Sequence, residues 1–162
     1  MPDSFQNGRK NDLDLILKPP FREIILGYPE FEVRPAVPSV IENDFLLVIS
    51  AAYGPPPMTH ELFELDIAEG WYTREDCLVM YAGETPVAAG QIRTEMNNDI
   101  LVGFLDTLGV PKDLQCKGYG AELTKRRIQI LLKLGVSEIR TEVEQNNHTM
   151  IKLLLKLGFS RI

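Results

Sequence analysis

The sequence contains little cysteine, no excess of positive charge and no long apolar run. Its two cysteines, Cys77 and Cys116, are too few and too far apart for a disulfide framework or a zinc site, so no metal site is predicted. Lys and Arg total 17 against 23 Asp and Glu, and the net charge of −6 argues against general nucleic-acid binding. No run approaches membrane-spanning length, and no signal-peptide core follows the first residues. We therefore expect a cytoplasmic protein with neither nucleic acid nor membrane as a partner.

The 162 residues suffice for one domain with a hydrophobic core, and their apolar periodicity alternates between helix and strand. Such alternation predicts an α/β (α+β) fold with a mixed sheet. The predicted elements are a strand at 31–36, helices at 40–52 and 59–70, a hairpin at 77–95, a strand at 100–110, a helix at 122–134 and a strand at 136–143.

The most informative stretch is VPKDLQCKGYGA, which joins the predicted strand at 100–110 to the helix that follows. Gly118 and Gly120 would let the backbone approach a ligand closely. The amides of residues 116–121 would then lie unpaired at a helix N-terminus, an arrangement that binds phosphates.

Two common nucleotide loops do not fit this stretch. A P-loop needs a Lys followed by Ser or Thr after its second glycine, where this chain has Ala121-Glu122. A dinucleotide-binding loop needs a third glycine at position 123, which is Leu123. The pattern (Gln/Arg)-x-x-Gly-x-(Gly/Ala), shortly after a valine and a proline, resembles the coenzyme A pyrophosphate loop of the GCN5-related N-acetyltransferase (GNAT) family.

A second motif lies downstream and strengthens the resemblance. Asn147 can cap a helix, and Gly158-Phe159 follows at the spacing at which the family ends that helix. Two positions depart from the family pattern. Met150 replaces a small residue, and Leu154 replaces a tyrosine that in the family often protonates the leaving thiolate.

The resemblance implies a GNAT-like mixed central sheet with flanking helices and a V-shaped splay between its two central parallel strands. We expect residues 1–30 to form an N-terminal extension and residues 31–162 to form the acetyltransferase domain, with shortened C-terminal strands. Because only three residues follow Phe159, we expect residues 22–26 to supply the missing edge strand. A partner chain, such as a second copy in a homodimer, is the alternative.

The resemblance also implies acetyl-coenzyme A as co-substrate. Its pyrophosphate would meet the loop, its pantetheine arm would pair with the preceding strand, and a bulge near Leu108-Gly109 would leave the Leu108 amide free to bind the acetyl oxygen. The expected cofactor-binding residues are Leu108, Gly109, Val110, Gln115, Cys116, Lys117, Gly118, Tyr119, Gly120, Ala121 and Asn147.

Direct attack by an amine requires a base, because a primary amine has a pKa near ~10.4. Asp106 is the first candidate, since a carboxylate in an apolar strand is hard to explain by packing. Its alternative role is a hydrogen bond to neighbouring backbone. Glu95, beside a turn, is the second candidate, and an ordinary surface position is the favoured interpretation of it. With Leu154 unable to act as an acid, the candidate proton donors are Tyr53, Tyr72, Tyr81 and Tyr119.

The leading hypothesis is therefore an N-acetyltransferase that acts on a small-molecule amine or on a peptide or protein amine. The many acidic residues between positions 42 and 76 either form a solvated face or attract a cationic amine. A non-catalytic acyl-coenzyme A-binding or regulatory module and an assembly subunit with an exposed sheet edge are the alternatives.

Overall fold

The structure, a computed structural model, describes residues 11–37 and 39–162. Short 3-10 turns lie at Arg74–Asp76 and Lys112–Leu114. The predicted helices and strands from residue 31 onward are present, with boundaries shifted by a few residues. The elements are β1 (Asp12–Leu17), β2 (Glu32–Pro35), α1 (Ser39–Tyr53), α2 (His60–Ala68), β3 (Cys77–Ala82), β4 (Thr85–Asn97), β5 (Ile100–Gly109), α3 (Tyr119–Lys133), β6 (Glu138–Glu144), α4 (His148–Lys156) and β7 (Ser160–Arg161).

The strands form one mixed sheet in the order β2-β3-β4-β5-β6-β1-β7. Neighbouring strands are antiparallel except for β5 and β6, which run parallel. These two pair only where residues 102–104 face residues 138–140, although both strands continue beyond that point. The mixed α/β sheet and its V-shaped splay are thus confirmed.

The prediction for the edge strand is wrong in its position. Residues 22–26 form no strand, and β1 instead lies between β6 and β7, antiparallel to both. The reason is burial, because Leu15 and Leu17 are 0% and 4% exposed whereas Ile25 is 76% exposed. β1 falls within the predicted extension 1–30 and yet is a strand of the main sheet.

An apolar layer lies between the sheet and the helices on each of its two faces. Helices α3 and α4 pack on β1, β5 and β6 through Leu15, Ile128, Leu131 and Ile139, among others. Helices α1 and α2 cover β3 and β4 on the other side, where Phe45 and Phe63 pack together. Within the ranges given above, none of the helices is both long and apolar enough to cross a membrane.

Candidate active site between two diverging strands

An open cleft of about 1010 Å³ lies where β5 and β6 separate. It is bounded by the end of β5, the following loop, the start of α3, the end of β6 and the start of α4. Lys117 and Glu95 lie outside the residues that line it. The predicted site residues that do line the cleft are Asp106, Leu108, Gly109, Val110, Gln115, Cys116, Gly118, Tyr119, Gly120, Ala121 and Asn147.

The loop after β5 exposes backbone amides at the start of α3. Gly118 adopts φ +82°, which favours glycine, and ends the loop as the N-cap of α3. The side chain of Gln115 folds the loop back by donating to the Val110 carbonyl at 3.1 Å. The first helical hydrogen bond is from the Glu122 amide to the Gly118 carbonyl, so the amides of residues 119–121 have no acceptor within the helix.

A segment before β2, residues 27–31, clamps this loop from outside, and we call it the N-terminal strap. The Tyr28 hydroxyl donates to the Lys117 carbonyl at 2.7 Å, and the buried Glu122 carboxylate accepts from the Gly27 amide at 2.7 Å. The rings of Tyr28, Phe31 and Tyr119 pack with centroids 4.6 to 5.6 Å apart. Sequence analysis missed the strap, because nothing in its local pattern indicates a contact with a loop some ninety residues away in the chain.

The bulge in β5 lies at residues 106–107, two positions before its predicted place. Both of these residues lie opposite Gln91, since the register changes between Gly90 and Ile92. Gly90 leaves room for the bulge, because a Cβ there would lie 2.8 Å from the Thr107 carbonyl oxygen. The bulge occurs beyond the last paired residues of β5 and β6, where the two strands have begun to separate.

A tyrosine from α1 reaches the same part of β5. The Tyr53 hydroxyl donates to the Leu108 carbonyl at 2.7 Å, and burial raises the pKa of this phenol. The other candidate proton donors have different partners: Tyr72 lines the cleft beside Asp106, Tyr119 lines it within the aromatic cluster, and Tyr81 lies outside the lining and donates to Asp44. Among these candidates, Tyr53 is the one whose hydroxyl bonds the Leu108 carbonyl.

The start of α4 forms the other wall of the cleft. Asn147 caps α4 by accepting from the Met150 amide at 3.2 Å, as its predicted capping role requires. Leu154 is 1% exposed and packs in the core with Ile151. The position where the family often has a tyrosine thus serves packing in this chain.

Four carboxylates line the cleft, together with Arg93 and Arg127. Asp106 accepts from Arg93 Nε at 3.3 Å, and the same guanidinium binds the exposed Glu95 at 2.7 Å. Glu142 of β6 lies directly opposite Asp14 of β1 in the register. Burial, followed by the charges of Asp14, Asp12 and Asp106, raises the pKa of Glu142. The acidic residues that line the cleft are Asp12, Asp106, Glu142 and Glu144.

Sequence analysis missed Glu142, because its importance arises from the unexpected pairing of β1 with β6. The acidic residues at 42–76 do not line the cleft. Instead, Glu42 is buried and binds Arg74 and His60 at 2.8 and 3.1 Å, and Asp44 accepts from Tyr81. The negative charge at the cleft comes from β1, β5 and β6.

We expect Glu142→Gln to stabilise the protein at pH 7 by up to about 1 kcal/mol, because it removes a like charge opposite Asp14. A carboxyl whose pKa is raised by folding destabilises the fold above that pKa, so the gain should fade as the pH falls through the raised pKa of Glu142 and should be absent near pH 4, close to the usual pKa of glutamate in an unfolded chain. Thermal unfolding at both pH values measures this effect. Asp14→Asn should give a similar gain, and the double variant should gain less than the sum. A lower melting temperature for Glu142→Gln at pH 7 would contradict the proposed repulsion.

The model of a known protein family matches most of the sequence of this chain. The model of the acetyltransferase (GNAT) family matches residues 44–159. The chain belongs to the GNAT family. This confirms the family suggested by the loop and by the Asn147 motif.

Known GNAT proteins resemble the chain at modest identity. A mycothiol acetyltransferase from Pseudarthrobacter chlorophenolicus is 26% identical over 136 residues, which cover 80% of this chain and 42% of that relative. The chain thus spans less than half the length of the curated relatives it matches. A GCN5-related N-acetyltransferase from Sphaerobacter thermophilus superposes with a TM-score of 0.69 at 17% identity, covering 93% of this chain and 48% of that chain. The NatC complex bound to Gag peptide and CoA gives a TM-score of 0.64 at 18% identity, covering 82% and 86% of the two chains.

Proposed function

We propose that the protein is an N-acetyltransferase that moves the acetyl group of acetyl-coenzyme A to a cationic amine by direct attack. The observation that carries this proposal is the cleft between β5 and β6, which is lined by unpaired helix amides and by four carboxylates. The amides suit a phosphate, and the carboxylates suit a protonated amine.

Acetyl-coenzyme A fits the helix amides and the open edge of β5. Its pyrophosphate would bind the amides of residues 116–121, which Gly118 and the Gln115 side chain hold at the start of α3. The pantetheine arm would add to β5 at residues 108–110, where β6 has moved away and leaves that edge open. Asn147 would contact the arm from the α4 side of the cleft.

Three groups would handle charge and protons during transfer. The Leu108 amide would bind the acetyl oxygen as negative charge develops on it. Asp106 or Glu142 would take the proton of the amine, and the raised pKa of Glu142 brings that carboxylate closer to the range that suits a base at neutral pH. The Tyr53 hydroxyl would protonate the leaving thiolate in place of the tyrosine absent at Leu154. Glu95 lies outside the cleft lining and binds Arg93, so we assign it no role.

A panel of amines tests the proposal, with thiol release from acetyl-coenzyme A as the readout. The panel should contain polyamines, peptides with a free N-terminus, neutral amines and anionic amines. We expect release above the background hydrolysis rate with the cationic members, because four carboxylates line the cleft. If acetyl-coenzyme A binds but no amine is acetylated, the chain is a non-catalytic acyl-coenzyme A-binding module, the alternative that Leu154 suggested.

The N-terminal strap leads to a separate prediction. Tyr28→Phe keeps the ring stack with Phe31 but removes the hydrogen bond to the Lys117 carbonyl. One such hydrogen bond contributes about 1 kcal/mol, and without it the loop should be less well ordered. The dissociation constant for acetyl-coenzyme A should therefore rise roughly fivefold, and kcat should not change. Isothermal titration calorimetry measures the affinity. An unchanged dissociation constant would show that the strap does not order the loop.

A further inference from the structure

A fully buried arginine lies beneath the bulge of β5. Arg127 of α3 is 2% exposed, and its Nη1 donates to the carbonyl of Gln91 at 2.9 Å and to those of Asp106 and Thr107 at 3.0 Å each. In the part of the chain that the structure describes, no carboxylate lies within ion-pair distance of Arg127, and its Nε has no hydrogen-bond partner. A buried charge costs free energy unless it is compensated, so these carbonyls provide the compensation.

The direction of the carbonyls determines the direction of the Leu108 amide. Successive carbonyls alternate along a regular strand, so Asp106 and Thr107 can both bind Nη1 only because of the bulge. A trans peptide unit is planar, and its C=O and N–H point in opposite directions. The Thr107 carbonyl points towards Arg127 and Gly90 of β4. The N–H of Leu108, in the same peptide unit, therefore points away from β4 and towards the cleft.

We infer that Arg127 is a positioning residue that directs the Leu108 amide at the acetyl oxygen. The inference rests on the proposed function, because it assigns a task to the amide that would bind this oxygen. The guanidinium also polarises the peptide between Thr107 and Leu108, which makes its N–H a stronger donor. Burial lowers the pKa of Arg127 to about 10, so the side chain remains charged at neutral pH.

Two substitutions separate positioning from stability. Arg127→Met removes every donor, and Arg127→Lys keeps the charge on a shorter side chain. Loss of an oxyanion donor typically lowers kcat by about 100-fold or more, so we expect roughly that loss for Arg127→Met and a loss nearer 10-fold for Arg127→Lys. The KM for acetyl-coenzyme A should stay within about threefold of wild type, because the phosphate loop is untouched.

The matched control is the neighbouring arginine of the same helix. Arg126 also donates to backbone carbonyls, those of Tyr28 and Pro29 in the N-terminal strap, at 2.8 and 3.3 Å. Arg126→Met should therefore raise the KM for acetyl-coenzyme A and spare kcat, the opposite of the result expected at Arg127. A folded Arg127→Met variant with wild-type kcat would overturn the inference.

Nuclear magnetic resonance of the Leu108 amide gives a readout that does not need turnover. In the ligand-free protein its ¹H and ¹⁵N shifts should differ between wild type and Arg127→Lys, and acetyl-coenzyme A should move them further in wild type than in the variant. Identical ligand-free shifts would overturn the role of Arg127, even if Arg127→Met does not fold. If wild type fails to bind acetyl-coenzyme A while the ligand-free shifts differ, the proposed function fails and the control of the amide by Arg127 stands.

Discussion

Gly120→Glu should lower the affinity for acetyl-coenzyme A by roughly 100-fold and leave the protein folded. Position 120 lies in the first turn of α3, among the amides proposed to bind the pyrophosphate. A carboxylate within ~5 Å of a phosphate charge costs about 3 kcal/mol at an effective dielectric constant of 20, and about 1.4 kcal/mol corresponds to a tenfold change in affinity.

The same substitution favours folding, which makes it a sharp test. A Cβ at Gly120 would lie 3.5 Å from Val110 Cγ2 and 3.7 Å from Leu108 Cδ2, both ordinary contacts. Replacing a glycine raises helix propensity, and an acidic residue in the first turn interacts well with the helix dipole. We therefore expect a melting temperature at or above that of wild type.

Two controls separate charge from size at this position. Gly120→Ala tests the Cβ alone and should bind acetyl-coenzyme A nearly as well as wild type, and Gly120→Gln has the size of glutamate without its charge. Calorimetric titration of the three variants should show the largest loss for glutamate. Equal affinity of the glutamate and glutamine variants would contradict an anion site on these amides.

Tyr53→Phe should lower kcat roughly 10- to 100-fold and change the KM for acetyl-coenzyme A little. General acid catalysis contributes about 10²- to 10⁴-fold, and the lower part of this range applies because a thiolate with a pKa near ~8.5 leaves readily. Burial raises the pKa of the Tyr53 phenol, so it should remain protonated through neutral pH. Thiol release at saturating amine, measured from pH 6 to pH 9, gives kcat.

Tyr81→Phe is the matched control for the loss of a tyrosine hydroxyl. Its hydroxyl donates to Asp44 at 2.7 Å, and Tyr81 does not line the cleft. This variant should lose some stability and keep its kcat. A Tyr53→Phe enzyme with wild-type kcat across the pH range would exclude Tyr53 as the acid. The proton donor would then be a cleft carboxyl group or solvent.

Most of the helices, strands and the loop could be predicted from patterns of neighbouring residues in the sequence. The spacing of Gln115, Gly118 and Gly120 between an apolar strand and an amphipathic helix identified the loop, because all of its determinants are neighbours in the chain. The helices at 39–53 and 119–133 likewise follow from apolar periodicity. Family resemblance supplied the parallel pairing of β5 and β6, which no local pattern reveals.

What sequence analysis missed depends on contacts between distant parts of the chain. The position of β1 between β6 and β7 depends on burial of Leu15 and Leu17 against α3 and α4. Glu142 became a candidate base only through that pairing. In the sequence, nothing distinguishes Arg127 from the other polar residues of its helix. In the fold, it is buried against the carbonyls of β4 and β5.

A crystal structure of the wild-type protein with acetyl-coenzyme A tests the central claim most directly. We predict the pyrophosphate within hydrogen-bonding distance of the amides of residues 116–121, the pantetheine arm along residues 108–110, and the acetyl oxygen at the Leu108 amide. The contacts of Arg127 with the bulge carbonyls should persist in that complex. Acetyl-coenzyme A bound outside the cleft, or with its acetyl oxygen far from Leu108, would contradict the proposed site.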